Sequence, residues 1–187
     1  MEPGERILVP LAEGFEEIEA VTIVDVLRRA DLDVTVAGLS PGAVKGSHGI
    51  SVTPDAHLGD LDTSVFTMIV LPGGPGTRLL VQDERVLGIV RRLAAEGKRT
   101  AAICAAPLVL HAAGVLEGVP VTSHPSVRGK LPGAIVRDRP RVVRSGPIAT
   151  SQGAGTAMEF ALALVADLCG EAKAADLATA MVVPAAG

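Results

Sequence analysis

Strand-like and helix-like runs alternate along the 187-residue chain with only short Gly/Pro punctuation between them, and few folds accommodate that order. Arg6 to Leu11 (RILVPL) is a continuous apolar run suited to a strand buried on both faces. Glu16 to Ala30 carries apolar residues at helical spacing, and Asp33 to Gly38 (DVTVAG) returns to a strand pattern. This is a βαβ unit, so its two strands are predicted to run parallel. Pro41 to Asp60 reads as loop with a short strand around Ile50 to Thr53, and Phe66 to Leu71 (FTMIVL) as a core strand closed by Pro72-Gly73-Gly74-Pro75-Gly76. Glu84 to Glu96 has the helical period, with Gly97 as its C-cap. From Thr100 a buried strand turns at Cys104 into an Ala/Leu/Val run of helical composition. Val119 to Ser123 is a further core strand, ending at His124-Pro125. Arg128 to Arg144 is Pro/Arg-rich, with strand pieces near Ile135 and Val142, and Ile148 to Ser151 is the last core strand. Thr156 to Leu168 is a long apolar helix, Glu171 to Ala180 a weaker one, and Ala185 to Gly187 a frayed end. The expected architecture is one α/β domain over residues 1–187: a doubly wound, mostly parallel sheet with helices on both faces.

Composition narrows the function classes. Hydrophobic residues are 48% of the chain but aromatic ones only 2%, so the core is expected to be Val, Leu, Ile and Ala. A net charge of −4 with no Trp or Tyr argues against a nucleic-acid surface, which needs cationic patches and often stacking rings. No apolar run reaches the length of a membrane span, and the charged start from Met1 to Arg6 runs straight into a strand, so neither a membrane anchor nor a signal peptide is expected. Cys104 and Cys169 are too far apart in sequence for a disulfide framework or zinc-type pairing, which points to a reducing, cytoplasmic setting. The chain has no Walker A loop, no G-x-S-x-G elbow and no H-E-x-x-H, and Gly153-Ala154-Gly155 lacks the context of a dinucleotide fingerprint. Neither a cofactor nor a metal is predicted.

Several core strands stop at chemically informative places. One ends before Glu13-Gly14-Phe15-Glu16-Glu17-Ile18-Glu19, others at Gly73-Gly74, at Cys104 and at His124. In a parallel doubly wound sheet these ends share one edge, so acid, backbone donors, thiol and imidazole could converge on one crevice. Cys104 stands at a strand-to-helix corner, where helix N–H groups favour an anion such as a thiolate. It could equally be a small apolar filler. For Glu16 and Glu17, complementing a helix dipole is sufficient explanation. Glu19 differs, because Ile23, Val26 and Ala30 follow on its stripe and could carry it inward, where a carboxyl tends to keep its proton. His124 is either a loop residue at a strand end or a proton carrier. Gly73 and Gly74 are either a turn or a place where backbone N–H groups approach a ligand. His48, His57 and His111 have no such placement, and Cys169 reads as a core thiol within its apolar helix.

Ala101-Ala102-Ile103-Cys104-Ala105-Ala106-Pro107, Leu71-Pro72-Gly73-Gly74, Glu16-Glu17-Ile18-Glu19, His124-Pro125 and the run from Thr150 to Ala161 (TSQGAGTAMEFA) together resemble the ThiJ/PfpI superfamily. Within it they resemble the branch of the human Parkinson's-associated protein deglycase and its plant, algal and bacterial relatives. The resemblance implies a flavodoxin-like fold and a homodimer. It implies a reactive elbow cysteine at Cys104, a protonated glutamate at Glu19, a histidine at His124, and backbone amides at Gly74 and Ala105. Activities credited to the family are glyoxalase conversion of methylglyoxal to lactate without glutathione, repair of glycated amines or thiols, peroxide sensing at the cysteine, and holdase-type chaperoning. Ala105 follows the cysteine where protease-like relatives carry His, which disfavours peptidase activity. The His-x-Glu pattern of glutamine amidotransferases is missing. Gln152 stands where many branch members have Arg, and His48 where the human protein has Arg, which bears on surface or dimer contacts. Asp25 and Arg29 lie near the seam such a dimer would use.

The implied chemistry is attack of the Cys104 thiolate on an α-oxoaldehyde, with Gly73, Gly74 and Ala105 around the developing oxyanion. His124 and Glu19 then move protons between the two carbons. The competing expectation is a redox sensor or stress-binding protein, in which the same thiolate meets peroxide.

Overall fold

The computed structural model describes residues 4–184. The expected frayed end at Ala185 to Gly187 lies outside the described residues. In chain order the elements are β1 (Arg6–Leu11), α1 (Glu17–Arg29), β2 (Asp33–Gly38), β3 (Val44–Lys45), β4 (Ser51–Val52), β5 (Ala56–His57), β6 (Met68–Leu71), α2 (Thr77–Gln82), α3 (Glu84–Ala95), β7 (Arg99–Ile103), α4 (Pro107–Ala112), β8 (Pro120–Val121), β9 (Ile135–Val136), β10 (Val142–Ser145), β11 (Ile148–Ser151), α5 (Ala157–Cys169) and α6 (Glu171–Ala180).

Seven strands form the central sheet in the order β10-β11-β7-β6-β1-β2-β5. All pairings are parallel except that of β10 with β11. Period-two alternation divides the apolar residues between two cores. Ile7, Val9, Leu11, Met68, Val70, Ala101 and Ile103 face one side, where α1 and α5 supply Ile23, Val26, Leu27, Phe160 and Leu164. Leu8, Ile69, Leu71 and Ala102 face the other, against Leu80 of α2, Val86, Val90 and Leu93 of α3, and Val109 and Leu110 of α4. Burial on both faces is why these strands read as unbroken apolar runs. The expected flavodoxin-like, doubly wound architecture is therefore present. From β1 the chain builds outward to β2 and β5, then returns to β6 and builds the other way, which sets the switch point between β1 and β6.

Departures from the sequence expectation have local causes. The strand expected over Val119 to Ser123 shrinks to β8, which pairs with β9 in a separate two-stranded sheet instead of joining the central one. Pro120 has no N–H to give a ladder. The strand expected around Ile50 to Thr53 is β4, half of a small hairpin with β3. The edge strand β5 and the helix α2 were too short, at two and six residues, to show a period. The last residue of α3 is Ala95, Glu96 caps it, and Gly97 follows at φ +65°, one position later than expected. Cys169 is exposed, not a core thiol. The stripe Ala157, Phe160, Ala161, Leu164 and Val165 faces the sheet, and Cys169 lies beyond its end.

Candidate active site

The switch point is closed by glycines. Gly74, at φ +92°, brings its Cα so near the first turn of α1 that an added Cβ would stand 2.5 Å from the Glu16 nitrogen. Only glycine combines that conformation with that approach. Glu16 N–H donates to the Gly73 carbonyl at 3.0 Å and Gly76 N–H to the Gly14 carbonyl at 2.8 Å, tying the loops after β1 and β6 together. Glu19, in the first turn of α1, is thereby carried under the end of β6 with no exposed surface. Its Oε2 accepts the Gly73 N–H at 2.8 Å, while its Oε1 is buried without a hydrogen-bond partner.

Cys104 follows directly on β7 and takes φ +63°, a left-handed conformation that costs a non-glycine residue about 1–2 kcal/mol. Both of its backbone groups are held: its N–H donates to the Ser151 carbonyl at 2.9 Å, and its carbonyl accepts the His124 N–H at 2.8 Å. The thiol is only partly buried and faces Glu19. Backbone N–H groups of Gly74 and Ala105 point at the sulfur. Those two donors do the work that the sequence reading gave to a helix N-terminus, because α4 does not begin until Pro107.

Burial raises Glu19 from 4.5 to about 7, against the lowering effect of the Gly73 N–H and the Cys104 side chain, with the Glu16 charge adding to the rise. Burial also pushes the Cys104 thiol up to about 12, with the Glu19 charge next in size and the Gly74 and Ala105 N–H groups opposing. The two groups face one another and titrate as a pair, losing one proton near neutrality and the second far above it. Donor count bears on where the pair's first charge rests. The sulfur receives two N–H groups, whereas the carboxyl receives one and keeps an orphaned oxygen. That count favours charge on sulfur and a proton on Glu19, against the burial and the Glu19 charge that push the thiol up.

His124 reaches this place by a route other than a sheet edge, since its segment lies outside the central sheet. Its backbone touches Cys104, but its ring is exposed. Nδ1 lies 2.7 Å from Ser126 Oγ and accepts the Ser126 N–H at 3.3 Å, so the neutral ring carries its hydrogen on Nε2. Glu19, Gly74 and Ala105 thus all meet the Cys104 side chain, Gly73 holds Glu19, and His124 is joined to Cys104 through its main chain.

Sequence reasoning missed Glu17 and His48. Glu17 is 5% exposed, and its Oε1 accepts the N–H groups of His48 at 2.7 Å and Ile50 at 3.3 Å. Burial alone would raise its carboxyl, but these N–H groups, that of Glu17 itself and the His48 ring hold it at about 2. Its partner loop is some thirty residues away, a pairing no local pattern displays. Glu16, Glu17 and His48 are the one group with metal-ligand spacing among the described residues, and Ser47 Oγ fills its centre, within 3.2 Å of both carboxylates and 3.0 Å of His48 Nδ1.

The DJ-1/PfpI family model matches residues 5–167. Protein DJ-1 homolog B of Arabidopsis thaliana is 40% identical over 181 residues, covering 95% of this chain, and this chain spans only 41% of that relative's length. A Caenorhabditis elegans protein named glutathione-independent glyoxalase DJR-1.2 is 39% identical over 168 residues, 89% of each chain. The crystal structure of Drosophila melanogaster DJ-1beta superposes with a TM-score of 0.94 at 39% identity, covering 98% of this chain and 100% of that one.

Proposed function

Because the chain belongs to the DJ-1/PfpI family and its Cys104 thiol faces the buried Glu19 carboxyl beneath two backbone N–H groups, we propose that it is a cofactor-independent glyoxalase acting on methylglyoxal and related α-oxoaldehydes or their adducts. The observation that carries this reading is the Glu19–Cys104 pair, a nucleophile and a proton carrier in direct contact at the switch point.

The Cys104 thiolate adds to the aldehyde carbon, the carbonyl electrons move to oxygen, and that oxyanion takes the place opposite Gly74 and Ala105 N–H. Glu19 donates its proton to the oxyanion, giving a neutral hemithioacetal and a carboxylate. That carboxylate removes the hydrogen from the former aldehyde carbon while His124 Nε2–H protonates the neighbouring ketone oxygen, forming an enediol. Glu19 returns its proton to the second carbon, and the hydroxyl on the first gives its proton to His124. The product is a thioester of a 2-hydroxy acid. Water hydrolyses it to lactate and restores the thiol. Methylglyoxal and water are thus converted to lactic acid without net oxidation, and a carboxyl near 7 suits a group that both gives and takes a proton. The relative named glutathione-independent glyoxalase supports the same reading.

The test is lactate production from methylglyoxal without glutathione, with wild type beside Cys104→Ser, Glu19→Ala and His124→Ala. Multiple turnovers by wild type and none by Cys104→Ser are expected. A wild type that forms no lactate overturns the proposal. A redox-sensing role has its own supporting observation: Cys104 is the partly exposed thiol beside a carboxyl that can donate to a sulfinate oxygen. It predicts sulfination of Cys104 ahead of the more exposed Cys169 at modest peroxide.

The protein is further proposed to act in the cytoplasm as a homodimer. Ile18 (57% exposed), Val21 (50%) and Ile50 (59%) are exposed large apolar residues on α1 and beside β4, and Val21 with Val24 and Val52 lines a 250 Å³ groove there, a surface of the kind that covers itself with a second copy. Asp25 and Arg29 at this surface pair with each other at 2.7 Å. No helix among the described residues is long and apolar enough to cross a membrane. Sedimentation of wild type beside Val21→Arg reads the oligomer directly, and a wild-type monomer overturns that part of the reading.

A further inference from the structure

The run Thr150-Ser151-Gln152-Gly153 at the end of β11 takes no part in the chemistry above, yet its residues hold Thr122 and Cys104 and border His124. Thr150 Oγ1 accepts the Thr122 N–H at 2.9 Å, in an interior where both residues have no exposed surface. The Ser151 carbonyl accepts the Cys104 N–H at 2.9 Å. Gln152 Nε2 donates to Thr122 Oγ1 at 3.3 Å and to the Asp138 carbonyl at 2.7 Å. At Gly153 an added Cβ would lie 3.6 Å from His124 Cδ2, so this backbone borders the imidazole.

His124 needs such a device. It lies outside the central sheet, two residues beyond Thr122, on a stretch whose only strand is the two-residue β8. Its one main-chain tie to the nucleophile is the N–H that donates to the Cys104 carbonyl at 2.8 Å. A ring carried on that stretch keeps its distance from the reacting carbons only if the stretch is pinned to the strand that also pins Cys104.

We propose that Thr150 and Gln152 are positioning residues that lock the His124-bearing segment to the nucleophile through Thr122, setting the place of the imidazole without touching substrate. The inference rests on the proton-transfer role given to His124. Thr150 supplies the buried acceptor, and Gln152 ties the same threonine to the Asp138 carbonyl, so the segment is held from two sides. Misplacement of a proton carrier by an ångström is enough to cost on the order of a hundredfold in rate.

The test compares wild type with Thr150→Val, which keeps the shape and loses the acceptor, Thr150→Ser, which restores it, and Gln152→Ala, which removes only the half-buried second clamp. In lactate formation Thr150→Val is expected to lose roughly ten- to a hundredfold in kcat with KM nearly unchanged. Thr150→Ser recovers most of the loss, Gln152→Ala loses less, and alkylation of Cys104 by iodoacetamide keeps its wild-type rate in all three. Should Thr150→Val fail to fold, Gln152→Ala carries the same comparison. By NMR, with the ring assigned from His124→Ala, both variants are expected to shift the His124 ring signals and speed exchange of its amide. This measurement needs no turnover, so a wild type that forms no lactate removes the glyoxalase reading and leaves the lock testable. Wild-type kcat in folded Thr150→Val, a loss shared equally by Cys104 alkylation, or unmoved His124 signals each overturn the proposal.

Discussion

Gly73 leaves no room for a side chain between itself and Glu19: a Cβ on Gly73 would stand 2.8 Å from the Oε2 atom that its own N–H already holds at 2.8 Å, and 2.6 Å from the Cys104 Cβ. The Ile103 carbonyl, 2.9 Å from that Cβ, is backbone, and neither it nor the Cys104 Cβ can swing aside. Gly73→Ala is therefore expected to lose about 1–3 kcal/mol of stability, a fall of several degrees in Tm, together with most of any Cys104-dependent turnover. Gly88→Ala is the control. It sits in α3 with nothing within 4 Å of its Cβ position, and should gain about 0.5–1 kcal/mol in the same thermal melts. Equal stability changes at the two positions would contradict the crowding described at Gly73.

The buried carboxyl of Glu19 makes stability depend on pH. The Glu19–Cys104 pair gives up its first proton near 7, whereas in the unfolded chain the carboxyl does so at the ordinary 4.5, so the folded protein holds one more proton over that range whichever atom releases it. That contribution is complete below 4.5 and is lost as pH rises through about 7, on the order of 3 kcal/mol in all. Glu19→Gln cannot ionise and should lack this slope. Urea titrations of the two proteins between pH 4.5 and 8 are expected to diverge, with wild type falling relative to the variant. Parallel curves would show that Glu19 is not held protonated.

What the sequence displays and what it hides follow from range. The bounds of β1, β2 and β11 match the apolar runs to the residue, and α1 matches to within one at each end, because periodicity is written locally. Glu19 was legible as well, since the stripe it shares with Ile23 and Val26 points where the core must be. Val119 to Ser123 misled for a complementary reason: its composition suits a buried strand, but whether a segment enters a sheet depends on a partner and on donors that Pro120 lacks. Glu17 read as a helix-dipole acid, and its role as anchor of the Gly46–Ile50 loop depends on contacts some thirty residues away. Such a pairing leaves no mark on either stretch by itself.

That anchor has a measurable consequence. Glu17 Oε1 is a charged acceptor for two backbone N–H groups of this loop, so Glu17→Ala should cost about 2–3 kcal/mol and speed amide exchange at His48 and Ile50. Its pH dependence runs opposite to that of Glu19. The folded value of about 2 lies below the ordinary 4.5, so its stabilisation is complete above 4.5 and is lost as pH falls through about 2. Acid denaturation of wild type and Glu17→Ala should therefore converge towards pH 2. A constant gap between them would mean that Glu17 acts by shape and not by charge.

The Glu19–Cys104 pair makes a sharper demand on the thiol itself. If the first proton leaves from sulfur, the thiolate appears as the pair ionises near 7, well below the ordinary thiol value of 9.0. Iodoacetamide alkylation of Cys104, resolved from that of Cys169 by mass of the modified peptides, should then rise with pH through a midpoint near neutrality. Glu19→Leu removes the carboxyl proton that the sulfur shares, so its midpoint should move upward even though a potential negative charge has also gone. Glu19→Gln keeps a donor and should fall between. Were the charge instead on the carboxylate, the order would invert: wild-type Cys104 would titrate above the ordinary thiol value of 9.0, and Glu19→Leu would react faster than wild type at pH 8. Measuring the three profiles side by side decides which atom of the pair holds the proton, and with it whether the resting site holds a ready nucleophile.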